Sequence, residues 1–473
     1  MKSVILNIKD KEKELAKTLA MIKEHQEECH SFVTILDSAK LKSETSSLLS
    51  NICYALKDNY STKGILTTAS SNTLRDYVPP FNSTVYEKLE SAHAICIGKT
   101  VLDEFGMGGT GTTGHTGVVK NPLDKKRIAG GSSAGSAAAV ASHLVSFAIG
   151  SDTGDSVRKP AAYTGIVGYK PTYGMISRWG LLPFASSLDH VGIFSRSVLD
   201  AAIVADALKG KDEKDMTTWD SSNIHLQESV EKGLNKKIKL CYIKEIVDAS
   251  EFENVKENHQ KVIDNFKKLL DLCEKENIEV DCVSVDKNLL AKIPSVYTCI
   301  SCAEATSNMS NLTGIAFGPR ESGEKIEDLM MNFRTKNFSP LIKRRFVIGS
   351  YVLQSQNQEK YFVNAQRVRR LLVDELKKLF ASYDGLILPC SSSIAPKIEE
   401  AKDMMKKSDD LAILENHMAL GNFGGFPSIT IPCGKIENMP IGVNITSNIY
   451  EDEKLLSIAS KLESMIDYEK EGV

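Results

Sequence analysis

The densest chemistry in this sequence lies in two short loops separated by the length of one small helix and one strand. The first is Gly130-Gly131-Ser132-Ser133-Ala134-Gly135-Ser136, running directly into Ala137-Ala138-Ala139-Val140. The second is Gly150-Ser151-Asp152-Thr153-Gly154-Asp155-Ser156-Val157-Arg158. A small, polar loop that opens a helix leaves backbone N–H groups unpaired. Those groups and the helix N-terminus favour a developing negative charge. Plainer readings compete: Gly/Ser-rich loops are mostly turns, and serines opening helices are mostly caps. A phosphate-binding loop is a further option, but no G-x-x-x-x-G-K-[ST] occurs, and the strand–G-x-G-x-x-G–helix context is absent.

Taken together, the two loops match one pattern. Gly130-Gly131-Ser132-Ser133-x-Gly135-Ser136, Gly150-Ser151-Asp152-Thr153-Gly154-x-Ser156-Val157-Arg158-x-Pro160-Ala161 and Gly165-Ile166-Val167-Gly168-Tyr169-Lys170-Pro171-Thr172-Tyr173-Gly174 resemble the amidase signature family, and Leu56-Lys57-Asp58-Asn59 looks like its lysine motif. The resemblance implies a serine–serine–lysine triad: Ser156 as nucleophile, Ser132 as bridging serine and Lys57 as base. Their separations, 75 residues from Lys57 to Ser132 and 24 from Ser132 to Ser156, fit without a gap. It also implies an oxyanion hole made by the backbone N–H groups of Thr153, Gly154, Asp155 and Ser156, and an α/β/α sandwich around a large mixed sheet.

Amide hydrolysis needs a nucleophile, a base, a donor for the leaving amine and a site for the oxyanion. None of the nine histidines falls in these motifs. A lysine serves as base only when neutral, so its reference pKa of about 10.4 must drop by about 3 units, which burial can supply. The apolar approach Ile52-Cys53-Tyr54-Ala55-Leu56 reads as a buried strand ending on Lys57. One departure stands out. The family usually has Gly-Gly-Ser at the nucleophile, and here it is Gly154-Asp155-Ser156. A carboxylate beside an oxyanion opposes catalysis unless it points away or is paired.

The flanks favour one branch of the family. Asp103-Glu104-Phe105-Gly106-Met107-Gly108-Gly109-Thr110, Met175-Ile176-Ser177-Arg178-Trp179-Gly180-Leu181, Phe184-Ala185-Ser186-Ser187-Leu188-Asp189, Ser301-Cys302-Ala303-Glu304-Ala305-Thr306-Ser307-Asn308 and Lys343-Arg344-Arg345 are similar to the glutaminase (A) subunits of tRNA-dependent amidotransferases. That resemblance implies glutamine as substrate, its α-carboxylate and α-amine held by Arg345, Glu415 and Tyr297, with Arg345 pairing the carboxylate. It implies ammonia delivery to Glu-tRNA(Gln), Asp-tRNA(Asn) or both, and B and C subunits as partners. No cofactor or metal is implied for this chain, ATP and Mg being used by the partner subunit. A stand-alone amidase and a non-catalytic scaffold disabled by Asp155 are the alternatives.

The elements that must position these residues are mixed throughout, so the class is α/β. Leu15, Leu19 and Ile22 predict an amphipathic helix over 12–29, and 40–55 reads as a linker or short helix. Strands are expected at Leu144–Ile149, Ile238–Ile243, Ile278–Val285, Gly385–Leu388 and Ile429–Ile431, with helices over 252–274, Arg344–Leu372 and 451–466. At 473 residues about three domains or one large α/β domain fit. The resemblance favours one amidase domain over 1–473: an N-terminal helical segment (1–50), a signature core (50–200), a peripheral α/β region (205–380) and C-terminal strands with a closing helix (383–473).

With 58 basic and 61 acidic residues the net charge is −3, so bulk charge gives no grip on nucleic acid or an anionic membrane. No apolar run approaches the roughly 18 residues of a membrane helix, and the N-terminus lacks the pattern of a signal or transit peptide. Of ten cysteines, Cys299 and Cys302 form the one close pair, which reads as thiols a helical turn apart in a reducing compartment. The expectation is a soluble cytoplasmic chain.

Overall fold

A computed structural model describes residues 3–234, 236–248, 257–404 and 416–466. The described residues build one mixed eleven-stranded sheet in the order β1-β3-β2-β4-β6-β5-β10-β11-β9-β7-β8. The strands are β1 (Phe32–Ile35), β2 (Cys53–Lys57), β3 (Ile95–Thr100), β4 (Phe147–Asp152), β5 (Val167–Lys170), β6 (His190–Ser195), β7 (Lys239–Ile243), β8 (Glu279–Val283), β9 (Gly385–Pro389), β10 (Ser428–Ile436) and β11 (Met439–Thr446). Helices that matter below are α1 (Lys11–Cys29), α2 (Ala134–Ala141), α3 (Arg158–Thr164), α4 (Val198–Leu208), α5 (Glu257–Lys275), α6 (Ile293–Asn308), α7 (Pro340–Leu353), α8 (Asn364–Phe380) and α9 (Asp452–Met465).

Strand alternation sends successive side chains into two separate cores. Along β2, Tyr54 and Leu56 enter one core while Cys53 and Ala55 enter the other. Along β4, Phe147 and Ile149 join the first and Ala148 the second. The first core is closed by α4 and α9, the second by α1, α2 and α3. A sheet covered on both faces can use apolar residues at every position, which is why β2 reads as a continuous buried run.

Parallel pairing of β2 with β4 sets the geometry of the site. It brings the C-terminal ends of both strands to the same edge, the usual place for ligands in open α/β sheets. Lys57 ends β2, and the loop 153–156 follows the end of β4. The intervening helix α2 is made of small residues because it lies against backbone. A Cβ added at Gly135 would meet the Ser31 carbonyl oxygen at 2.2 Å and Val101 N at 2.8 Å.

Several element boundaries differ from the sequence expectation. Of the two readings offered for residues 40–55, the irregular linker holds over 40–52, which the Asn51 amide pins to both the N–H and carbonyl of Lys42. The strand expected at 144–149 begins at Phe147, because the N–H groups of Leu144 and Val145 close the end of α2 on the Ala139 carbonyl. The single helix expected over 344–372 is split. Gln354 leaves the helical region at ψ 141°, and Asn357 takes the freed Tyr351 carbonyl. Polar side chains bonding nearby backbone compete with the helical ladder there. Helix α5 is described from Glu257, with Val262, Phe266 and Leu269 buried, while residues 252–256 lie outside the described part.

Candidate active site

Lys57 is fully buried, and its Nζ lies 2.8 Å from Ser132 Oγ, 2.8 Å from Ser133 Oγ, 2.9 Å from Ser151 Oγ and 3.3 Å from the Ser151 carbonyl. Desolvation pushes its pKa down to about 7, against the pull of Asp103, Asp152 and Asp189. A lysine surrounded by hydroxyls, with those carboxylates acting at longer range, is neutral in a sizeable fraction near pH 7. That is the state a base requires.

Ser156 is 3% exposed in the loop after β4. Its carbonyl accepts from Ser133 N at 3.2 Å, which ties the two serine loops together. Among the described residues no hydrogen bond joins the Ser132 and Ser156 hydroxyls. The same holds for the backbone N–H groups of Thr153, Gly154, Asp155 and Ser156, none of which has a protein acceptor. Unpaired buried N–H groups are costly and rare. Four in succession beside a serine form a ready site for an oxyanion.

What holds this loop open is a set of buried ionic contacts that the sequence pattern did not single out. Arg158 is fully buried and grips Asp152 through Nε (3.1 Å) and Nη2 (2.9 Å), the Gly154 carbonyl (2.7 Å), the Met418 carbonyl (2.9 Å) and Asn422 Oδ1 (2.7 Å). Asp189 accepts from Thr153 Oγ1 at 2.6 Å and from Phe184 N at 2.9 Å; burial raises its pKa to about 6, with those bonds opposing. Asp103 accepts from four consecutive N–H groups, Thr110 to Thr113, and its own N–H bonds the Ser132 carbonyl at 3.1 Å.

Ser133 sits at the N-cap of α2, yet its hydroxyl makes no capping bond. It goes instead to Lys57 and the Ser151 carbonyl. The run Gly131-Ser132-Ser133-Ala134-Gly135 also satisfies G-x-S-x-G spacing. That engagement takes the hydroxyl away from the cap, and full burial of Ser133 keeps it from the exposed position an elbow nucleophile occupies. Asn59 Nδ2 donates to Ser151 Oγ at 3.0 Å, completing the polar shell of the lysine.

Asp155 keeps φ below zero, so its position does not call for glycine on conformational grounds. Its carboxylate is paired with Lys159 one helical turn on, at 2.6 Å. Tyr297, in α6, packs on the same loop: a Cβ at Gly154 would meet its ring and hydroxyl at 3.0–3.2 Å. Arg345, in α7, stacks over the Phe184 ring at 5.4 Å. Helix α7 is held to the signature core by Glu104, which accepts from Ser339 N and Ser71 Oγ. Glu304 and Asn308 of α6 in turn bind the 184–187 segment. Glu415 lies outside the described residues. Among the described residues no cluster of three His, Cys, Asp or Glu could hold a metal, and no helix is long and apolar enough to cross a membrane.

The model of the family described as Amidase matches residues 4–456. The chain belongs to the amidase family. Among relatives of this amidase, the glutamyl-tRNA(Gln) amidotransferase A subunit of Mycoplasma genitalium is 42% identical over 433 residues, covering 90% of this chain and 88% of its own length. The corresponding protein of Sulfolobus acidocaldarius is 35% identical, with 96% and 94% covered. The crystal structure of the Thermotoga maritima glutamyl-tRNA(Gln) amidotransferase A subunit superposes with a TM-score of 0.78 at 34% identity, covering 95% of this chain and 90% of that one.

With Lys57 as the base, which must be neutral, turnover of the amidase is expected to fall as pH drops through the Lys57 value of about 7. Below it, kcat/KM declines about tenfold per pH unit, since each unit leaves a tenth as much free amine. A kcat/KM–pH profile checks this, and a flat profile from pH 5 to 7 counts against Lys57 as the base.

Proposed function

We propose that this chain is the glutaminase subunit of a tRNA-dependent amidotransferase. It hydrolyses glutamine to glutamate and ammonia, and the ammonia amidates Glu-tRNA(Gln), Asp-tRNA(Asn) or both. The observation that carries the chemistry is a fully buried Lys57 2.8 Å from Ser132, beside a serine loop with four unpaired N–H groups. The amidotransferase relatives carry the choice of reaction.

In the proposed sequence Ser156 Oγ attacks the side-chain amide carbon of glutamine. Its proton passes to Ser132 as Ser132 gives its own to neutral Lys57. The tetrahedral oxyanion is held by the N–H groups of Thr153, Gly154, Asp155 and Ser156. As the C–N bond breaks, Lys57 returns the proton through Ser132 to the departing nitrogen, which leaves as ammonia. A water, activated by the same relay, then releases glutamate from Ser156. Arg345 is suited to the α-carboxylate, since guanidinium pairs carboxylates with two parallel bonds.

We read residues 1–473 as one amidase domain, working in the cytoplasm with B and C subunits. ATP and Mg are used by the partner, because ammonia is useful only where an activated ester of the tRNA is formed. A net charge of −3 gives no evidence of a broad basic surface for tRNA phosphates, which takes several Lys/Arg contacts. The isolated chain is therefore expected to hydrolyse glutamine weakly and to make no amidated tRNA. Addition of partner subunits, charged tRNA and ATP raises the rate. Fast turnover of unrelated aliphatic and aryl amides, indifferent to partner and tRNA, would instead mark a stand-alone amidase.

A further inference from the structure

A free amino acid is a zwitterion, and a site that selects one needs an anion for the ammonium as well as a cation for the carboxylate. Asp155 lies in the nucleophile loop, Tyr297 packs on that loop, and Arg345 stacks over Phe184, whose N–H binds the Asp189 carboxylate that also holds Thr153. Tyr297 touches Gly154 and is half-buried. Burial pushes the Tyr297 hydroxyl up, and the Arg345 charge is the strongest influence opposing it. The buried Arg345 Nε has no hydrogen-bond partner among the described residues, as expected of a donor that awaits a ligand. Asp155 is the acid that acts most strongly on that phenol.

The Asp155 side chain retains 19% exposure, and its Oδ2 is engaged by Lys159 at 2.6 Å. Among the described residues its other oxygen has no partner, and a carboxylate oxygen accepts about two hydrogen bonds. Burial pushes the Asp155 carboxyl up while Lys159 and Arg158 hold it down and Asp152 adds to the rise. We propose that Asp155 is a specificity residue whose carboxylate receives the α-ammonium of glutamine, with Lys159 tuning its charge. The resemblance gives an ammonium role to Glu415; Asp155 is a second acid for the same group. This accounts for an acid next to the nucleophile. With Lys159 on one oxygen and the substrate ammonium on the other, its charge is offset while the oxyanion develops.

The proposal rests on the reading of glutamine as substrate and Ser156 as nucleophile, and the experiment separates the two. The full chain, with its partner subunits, is assayed on L-glutamine and on glutaramate, which keeps the amide and the carboxylate but lacks the α-amine. Asp155→Asn removes the charge at nearly constant size. It raises the ratio of KM for glutamine to KM for glutaramate about tenfold or more. Lys159→Gln frees the carboxylate and moves the ratio of the two KM values the opposite way. Labelling of Ser156 by a fluorophosphonate, which carries no ammonium, verifies a folded centre in each variant. Equal changes on both substrates, or a ratio moved in the same direction by both variants, overturn the proposal. Absence of Ser156 labelling in the parent chain overturns the reading beneath it, and the proposal with it.

Discussion

Ser156→Ala abolishes glutamine hydrolysis, with kcat falling about 10⁴-fold or more while the chain stays folded. The other hydroxyl of that loop, Thr153 Oγ1, is held by Asp189 at 2.6 Å, and the Ser133 hydroxyl is engaged by Lys57 and the Ser151 carbonyl, so neither is expected to replace Ser156. Ser132→Ala and Lys57→Ala fall into the same range, because Lys57 meets Ser132 at 2.8 Å and the relay fails when either is cut. Members of such a unit are not additive. A Ser132→Ala/Ser156→Ala double variant is thus expected to be no slower than the worse single one. Intact and peptide mass spectra after brief exposure to a glutamyl hydroxamate place the acyl group on Ser156. An adduct on Ser132, Ser133 or any other residue removes Ser156 from its role.

Lys57 was the most legible part of the site, since five apolar residues leading to a lysine predict a buried strand end, and the chain places it there. Its other neighbours were not legible. Ser133 looks like an ordinary helix cap, and only the tertiary fold turns its hydroxyl away from the helix to the amine. Ser151 and Asn59 sit in a strand end and a loop with no spacing rule to join them. The fold was legible where period and length agreed, as in α1 and α9. It was not where local polar contacts cut a periodic run, as at Gln354, or where the helix before a strand took its first residues, as at Leu144. Asp155 shows a further limit. Its partner Lys159 is a helical turn away and visible in the sequence, but pairing depends on both side chains leaving solvent on the same side of α3.

Arg158→Met is expected to be the most damaging change to stability in the signature core, and it also tests how the oxyanion loop is held. The guanidinium and its partner Asp152 are both fully buried. Burial alone would raise the Asp152 carboxyl, but Arg158, together with Lys170 and Asn422, holds it well below the usual carboxylate range. Removing one member of a buried pair strands the other, and the cost is about 3–5 kcal/mol. The sign of the pH effect follows. A depressed carboxyl contributes stability above its unfolded pKa of 3.8 and loses it as pH falls toward the folded value. Without the guanidinium that contribution disappears, so the variant loses stability at neutral pH and unfolds at a higher pH on acidification. Pairing it with Asp152→Leu removes the stranded charge and recovers part of the stability. Activity should not recover, because the Gly154 carbonyl loses its 2.7 Å anchor and the loop that carries the four N–H groups is no longer held. Urea unfolding and glutamine turnover, measured on the single and double variants, separate the two effects. A stable double variant with parental kcat would show that the loop holds its shape without Arg158.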